Sequence, residues 1–264
     1  MTTGESTPAA LMPGFSVLLR KELQEAIRSR RVILFVAIIC LAVSLVPIIG
    51  YFQIVEEGTG VRHQISADSM NALLTGWTAL VGFLGSLMAV AATVDAVSRE
   101  RSLGIAAWIV TKPVSRMSYL GAKALAHTIV AIGTLVVAPT AVFAMLAGAL
   151  FQGLPAAHVL VAALILCIEM GFLSFFIVAL GVPFRSVTPI AILGLAVWFL
   201  PTFVPNIGAL RWTYRILPSY LPVAAYDAAL DQATSATVSV PAAAIACAAG
   251  LFGAAVIMFE RQEL

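Results

Sequence analysis

Charge is what this sequence has least of. Asp, Glu, Lys and Arg make up 11% of its 264 residues, where a soluble domain carries about 25%. Hydrophobic residues account for 61%, and the mean hydropathy is +1.02. That balance argues against a water-soluble core and points to a chain that crosses a bilayer several times. A formal net charge of +2, with no Lys/Arg run flanked by aromatics, argues against nucleic acid as a partner. Cysteine is scarce too. Cys40, Cys167 and Cys247 lie in apolar runs and read as small buried hydrophobes, not as disulfide partners. His63, His127 and His158 are scattered, and no Cys/His spacing matches a metal site.

Catalytic signatures are also missing. No Gly-x-x-x-x-Gly-Lys-[Ser/Thr] occurs, and Gly121-Ala122-Lys123 lacks the earlier glycine, so the chain has no phosphate-cradling loop. His-Glu-x-x-His is absent, and no apolar run pairs a Ser with a plausible His. Ser86, beside Gly82 and Gly85, reads as a small packing residue. An enzyme is therefore not expected on this chain, nor a cofactor.

What the sequence has instead is length of apolar run. A bilayer core of about 30 Å takes roughly 20 helical residues to cross. Six segments qualify: 32–52, 72–94, 124–151, 159–180, 187–207 and 240–259. None alternates with period two, so the expected fold is all-α and polytopic. The fifth segment is the weakest, because Pro189, Pro201 and Pro205 interrupt it. Arg28, Arg30 and Arg31 precede the first segment as in a signal peptide. The run is too long for that, however, and no Ala-x-Ala closes it, so it reads as a retained span.

Lys and Arg set the orientation. With the N-terminus inside, twelve of the fifteen fall on inner segments, leaving only Arg62, Arg211 and Arg215 outside. Both termini are then expected in the cytoplasm and the chain in the cytoplasmic membrane. Residues 1–13, rich in Thr, Ser, Pro and Ala, read as a disordered tail before a membrane domain spanning 14–264. Next, Phe15, Leu19, Leu23 and Ile27 recur every four residues, with Arg20, Lys21, Gln24, Glu25, Arg28 and Arg31 opposite. That pattern suits an amphipathic helix lying in the inner headgroup layer, whether as a plain anchor or as a working part.

Two connecting segments stand out. Residues 211–222, RWTYRILPSYLP, combine interfacial aromatics with helix-breaking prolines. Two short helices re-entering the outer leaflet before the last span would satisfy both, as would a surface loop with an aromatic belt. Residues 98–116, SRERSLGIAAWIVTKPVSR, form the inner loop between spans two and three. Gly104 permits a change of direction, Pro113 stops the apolar element, and Ser115 can cap the next helix. An apolar patch around Trp108, framed by Arg, Glu and Lys, fits a docking knob for a partner protein. It equally fits topological charges with a tryptophan in the headgroups.

The patterns Arg99-Glu100-Arg101-Ser102-Leu103-Gly104, Thr111-Lys112-Pro113-Val114-Ser115-Arg116 and Tyr119-Leu120-Gly121-Ala122-Lys123 resemble the first intracellular loop of ABC-2 type transporter permeases. Leu18-Leu19-Arg20-Lys21-Glu22-Leu23 is similar to that family's entry helix, and Phe259-Glu260-Arg261-Gln262-Glu263-Leu264 to its ending. The resemblance implies a coupling helix that docks on a separate ABC ATPase subunit holding ATP and Mg. The contacting positions would be Arg99, Glu100, Arg101, Leu103, Gly104 and Trp108. It also makes residues 15–28 the family's connecting helix, with Phe15, Leu19, Arg20, Lys21, Glu22, Leu23 and Ile27 on it, and residues 211–233 an outward re-entrant hairpin. Six spans form a small pore wall, so a homodimer, or a heterodimer with a second permease, is expected. The apolar walls suit an exported hydrophobic cargo or contact with membrane lipid.

Glu169 stands near the middle of the fourth span, where a charged carboxylate costs about 2.5–3.5 kcal/mol. It would be protonated or bonded between helices, for instance to Ser174 of another copy or span, or it would relay protons. The relay reading makes the chain a proton-coupled secondary transporter. A permease-like assembly factor is a further alternative.

Overall fold

Runs of apolar residues long enough to cross a bilayer satisfy their backbone groups internally as helices, and helices make up the structure. The computed structural model describes residues 14–56, 66–102, 115–184, 186–203, 217–232 and 234–261. The N-terminal tail, residues 103–114, residues 204–216 and the last three residues lie outside these, and with them Leu103, Gly104, Trp108 and the aromatic start of the hairpin.

Helix α1 (Phe15–Arg28) is separated from α2 (Arg30–Glu56) by one extended residue, Ser29. Next, α3 (Ala67–Thr93) passes through a turn into the short α4 (Ser98–Ser102). The third span is built from α5 (Arg116–Ala131), a π-helical stretch (Ile132–Val137) and α6 (Ala138–Leu150). It is followed by α7 (Ala156–Leu180) and α8 (Val187–Phe203). A 3-10 turn (Pro218–Tyr220) leads into α9 (Leu221–Ala229), and α10 (Ser235–Arg261) closes the fold. Five helical segments among the described residues are long and apolar enough to cross a membrane, and α8 contributes a shorter apolar helix over Val187–Trp198. Pro189 sits in the first turn of α8, where a missing N–H leaves no bond unmade.

Local chemistry explains two details. Ser66 and Ser115 accept the N–H of Ser69 and Ser118 at 3.2 and 3.0 Å, so each caps the start of a span, and Ser115 does so as its sequence position suggests. In the third span, Pro139 has no N–H to close onto Leu135. The helix widens ahead of it, and the Ala138 N–H bonds the Gly133 carbonyl five residues back.

The core is centred on α7, which packs against α3, α5, α9 and α10. Trp77 and Phe143 stack at 5.3 Å within it, with Ile39, Leu166 and Met170 fully enclosed around them. Outward faces stay apolar: Ile33, Leu41 and Phe52 on α2 and Val238 and Ile245 on α10 are exposed, as lipid-facing positions would be. Helix α9 enters the bundle. Pro222 lies 3.3 Å from where a Cβ on Gly82 would stand, midway along α3, and Leu221, Ala224 and Ala225 are fully buried. Non-spanning backbone at that depth is covered by protein on its inner side, as a bilayer requires.

At the opposite end of the core, Gly181 closes α7 against the turn that follows α3. A Cβ there would sit 2.7 Å from Val97 Cβ and 3.2 Å from the Val178 carbonyl. Neither atom is the free tip of a flexible side chain. Gly181→Ala should therefore lower unfolding free energy by about 1–3 kcal/mol in a detergent denaturation series.

Candidate functional site

Among the described residues, the ion pairs of Lys21, Arg31 and Lys123 gather at one end of the bundle. Helix α1 docks along α5: Phe15 lies over Gly121, and Leu18 packs on the cluster of Tyr119, Leu120 and Phe259. The third docking residue is Glu22, one helical turn further along this face. The packed face is thus Phe15–Leu18–Glu22, rotated from the apolar row Phe15–Leu19–Leu23–Ile27 that the sequence pattern marks. Leu19 and Leu23 are half-buried, Ile27 is 59% exposed, and Arg20 points outward.

Lys123 is the hub of this end. Its side chain is 3% exposed, and its Nζ lies 3.0 Å from Glu22 Oε2 and 3.0 Å from Glu100 Oε1. One ammonium from α5 thus holds a carboxylate of α1 and a carboxylate of α4. Tyr119, one turn before Lys123, donates its hydroxyl to Glu100 Oε2 at 2.6 Å, and its ring sits 5.3 Å from the ammonium. Lys21 supplies a second cation at 3.3 Å from Glu22, 3.4 Å from Glu25 and 3.8 Å from Glu100. Burial alone would raise the Glu22 carboxyl, but Lys123 and then Lys21 hold it below the ordinary value. For Lys21, partial burial pulls downward and is outweighed by Glu22, Glu100 and Glu25, so its ammonium is held more firmly than usual.

Two further contacts fasten neighbouring chain ends. Arg31, at the start of α2, pairs with Asp95 after α3 at 3.1 Å. Arg116 donates to the Phe259 carbonyl and lies over the Phe259 ring, which stacks on Tyr119 at 5.8 Å. A crevice of about 290 Å³ opens between α1, α2, α3 and α5, with Arg99, Glu100 and His127 on its polar wall and Phe35 and Leu135 deeper in.

The sequence-marked loop residues divide accordingly. Arg99 is exposed on α4, Glu100 is turned inward to Lys123, and Arg101 is helical with its side chain outside the description. In the sequence Lys123 counts as a topological charge and as the end of the family pattern Tyr119–Lys123, with no partner assigned to it. Its signal was available: a Lys one turn beyond Tyr119, on the same face of an apolar helix, must find carboxylates.

A second polar site lies mid-bundle. Glu169 on α7 is 4% exposed, and Ser86 on α3 donates to its Oε1 at 2.5 Å. Ser86 is therefore a hydrogen-bond partner and not only the packing residue its Gly-rich context suggests. Ser174 has no hydrogen-bond partner among the described residues.

Among the described residues, no group of His, Cys, Asp and Glu could hold a metal ion. The architecture is that of an all-helical, polytopic membrane protein with an entry helix clamped to its third span. The family model described as ABC-2 family transporter protein matches residues 16–264, and the chain belongs to that family of transporter membrane subunits. A search of the curated proteins finds no match.

Removing Lys123 should strand two carboxylates. Lys123→Met is expected to lower unfolding free energy by about 3–5 kcal/mol, measured by denaturation of the full chain in detergent. The Glu22 contribution is present above its ordinary pKa of 4.5 and is lost as pH falls through the lower folded-state value. The stability gap between wild type and Glu22→Gln should accordingly narrow below about pH 4.5.

Proposed function

We propose that this chain is the membrane half of an ATP-driven exporter in the cytoplasmic membrane, with both termini inside the cell. A separate ABC ATPase subunit, carrying ATP and Mg, docks on residues 98–116. Two permease copies pair around the transport path, with cargo of apolar character. The observation that carries this reading is the fastening of both ends of that loop. Glu100, entering it, is held by Lys123 together with α1, and Arg116, leaving it, is held to the end of α10. A push on the loop is thereby delivered to α1, α3, α5 and α10 together. Further support comes from the lack of any phosphate-cradling loop in the sequence, which leaves an energy source to another chain. The placing of most Lys and Arg on one side supports the orientation. ATP binding would draw two ATPase subunits together and rock the paired bundles toward the outside.

In this reading Trp108 and Leu103 are the docking anchors for the ATPase, and Glu100 is an internal strut. Trp108→Ala should weaken ATPase capture about thirtyfold, the roughly 2 kcal/mol of an aromatic hot spot, without moving the permease's unfolding midpoint. Quantitative pull-down of the cognate ATPase from native membranes reads this directly. Undiminished capture by a Trp108→Ala, Leu103→Ser double variant would remove residues 98–116 as the docking site.

A further inference from the structure

Glu169 has one oxygen satisfied and one not. Its Oε1 accepts from Ser86, whereas Oε2 is buried without a hydrogen-bond partner among the described residues. Ser219, in the 3-10 turn before α9, is 8% exposed, and its Oγ is likewise unpartnered. Both residues line the same cavity of about 10 Å³, together with Phe172 and Leu173 of α7, Trp198 of α8 and Pro222 of α9. That space is at the lower limit for one water molecule. The indole-bearing Trp198 belongs to the same lining. A carboxyl oxygen, a serine hydroxyl and an indole N–H thus border a one-water space whose other lining residues are apolar, and together they form a built site.

The charge state follows from the surroundings. The residues facing Glu169 from α3 are Ser86 and Gly82. Val197 and Trp198 face the cavity from α8, and Pro218, Ser219 and Pro222 face it from the turn and α9. Among the described residues lining the cavity Glu169 is the only ionisable one, and none of the others brings a cation to offset a carboxylate. An unpaired charge at mid-bundle is strongly disfavoured. A neutral carboxyl is compatible with the hydrogen bonds present: Oε1 accepts from Ser86, and a hydrogen on Oε2 would have the cavity to donate into.

The geometry points to a one-water, proton-holding site in which neutral Glu169 donates through a bridging water to Ser219, fastening the inserted turn and α9 to spans two and four. The bound species are a proton on Oε2 and a single water. Losing that proton to the water would leave a buried anion without a counter-ion and break the fastening. The site therefore links protonation to the seating of the inserted helix. This does not depend on which partner supplies energy to the chain.

Infrared difference spectroscopy of the full chain in lipid nanodiscs at neutral pH tests the site, comparing wild type with Glu169→Gln and Ser219→Ala. The expected result is an un-ionised carboxylic C=O band present in wild type and absent from Glu169→Gln. In Ser219→Ala the band should shift upward, because the bridge has lost its acceptor. Glu169→Gln keeps the neutral shape, so its unfolding midpoint should stay close to wild type and a folding failure would not be mistaken for the spectral result. A wild-type spectrum with no Glu169-dependent C=O band, or a band unmoved by Ser219→Ala, overturns the proposal. So would a sodium-dependent rise in thermal stability lost in Glu169→Gln, which would make the site a cation site instead.

Discussion

The structure turns on one buried ammonium. Lys123 lies within an apolar helix at 3% exposure, where an unpaired cation would not be tolerated. It can remain charged only if carboxylates come to it, and the two that do belong to different parts of the chain. Glu22 brings α1 alongside α5, and Glu100 turns the extension of α3 back toward the same point. The requirement to neutralise a single side chain therefore fixes where the entry helix lies and how residues 98–102 leave the bundle. Apolar packing by Phe15 and Leu18 adds area to the α1 contact, but such packing does not choose a register as the 3.0 Å Lys123–Glu22 ion pair does.

The same chain solves its second buried charge problem differently. At the bundle end, three acids and two lysines compensate one another, and the residual exposure of Lys21 and Glu25 lets water share the load. Midway along α7, Glu169 has one observed partner, the Ser86 hydroxyl, and in the proposed site neutrality takes the place of pairing. The contrast follows from depth: counter-ions are affordable near an aqueous boundary and costly at the middle. Each solution holds a non-spanning element in place. The ionic one holds α1, and the hydrogen-bonded one faces the inserted turn and α9.

Much of this was legible in the sequence, and the misses have physical causes. Of six expected spans, five coincide with helices long and apolar enough to cross a membrane and the fifth in order with a shorter apolar helix. Hydropathy also started the third at Ala124 because Lys123 looked like a loop charge, whereas the helix begins at Arg116. The four-residue apolar period marked α1 correctly as a helix, yet the face it buries is centred on a glutamate that no hydrophobic pattern would select. Pro139, which sequence reasoning passed over, lacks an N–H inside the third span, and a π-helical stretch absorbs it. Glu169 was conspicuous by its charge, while Ser86 and Ser219 were not, because a serine among glycines or prolines gains meaning only from what stands opposite. Pairings across more than eighty residues, such as Ser86 with Glu169 or Glu22 with Lys123, are tertiary facts that spacing along one helix does not carry.

The central claim is that Lys123 locks α1 to the span bundle. Spin labels at the exposed positions Arg20 and Met117 would report this as a distance distribution in the full chain reconstituted in nanodiscs. The account predicts a single narrow distribution in the otherwise wild-type protein and a broad one when Lys123→Met is added. An equally narrow distribution in both would show that α1 is held without the ammonium, and would contradict it.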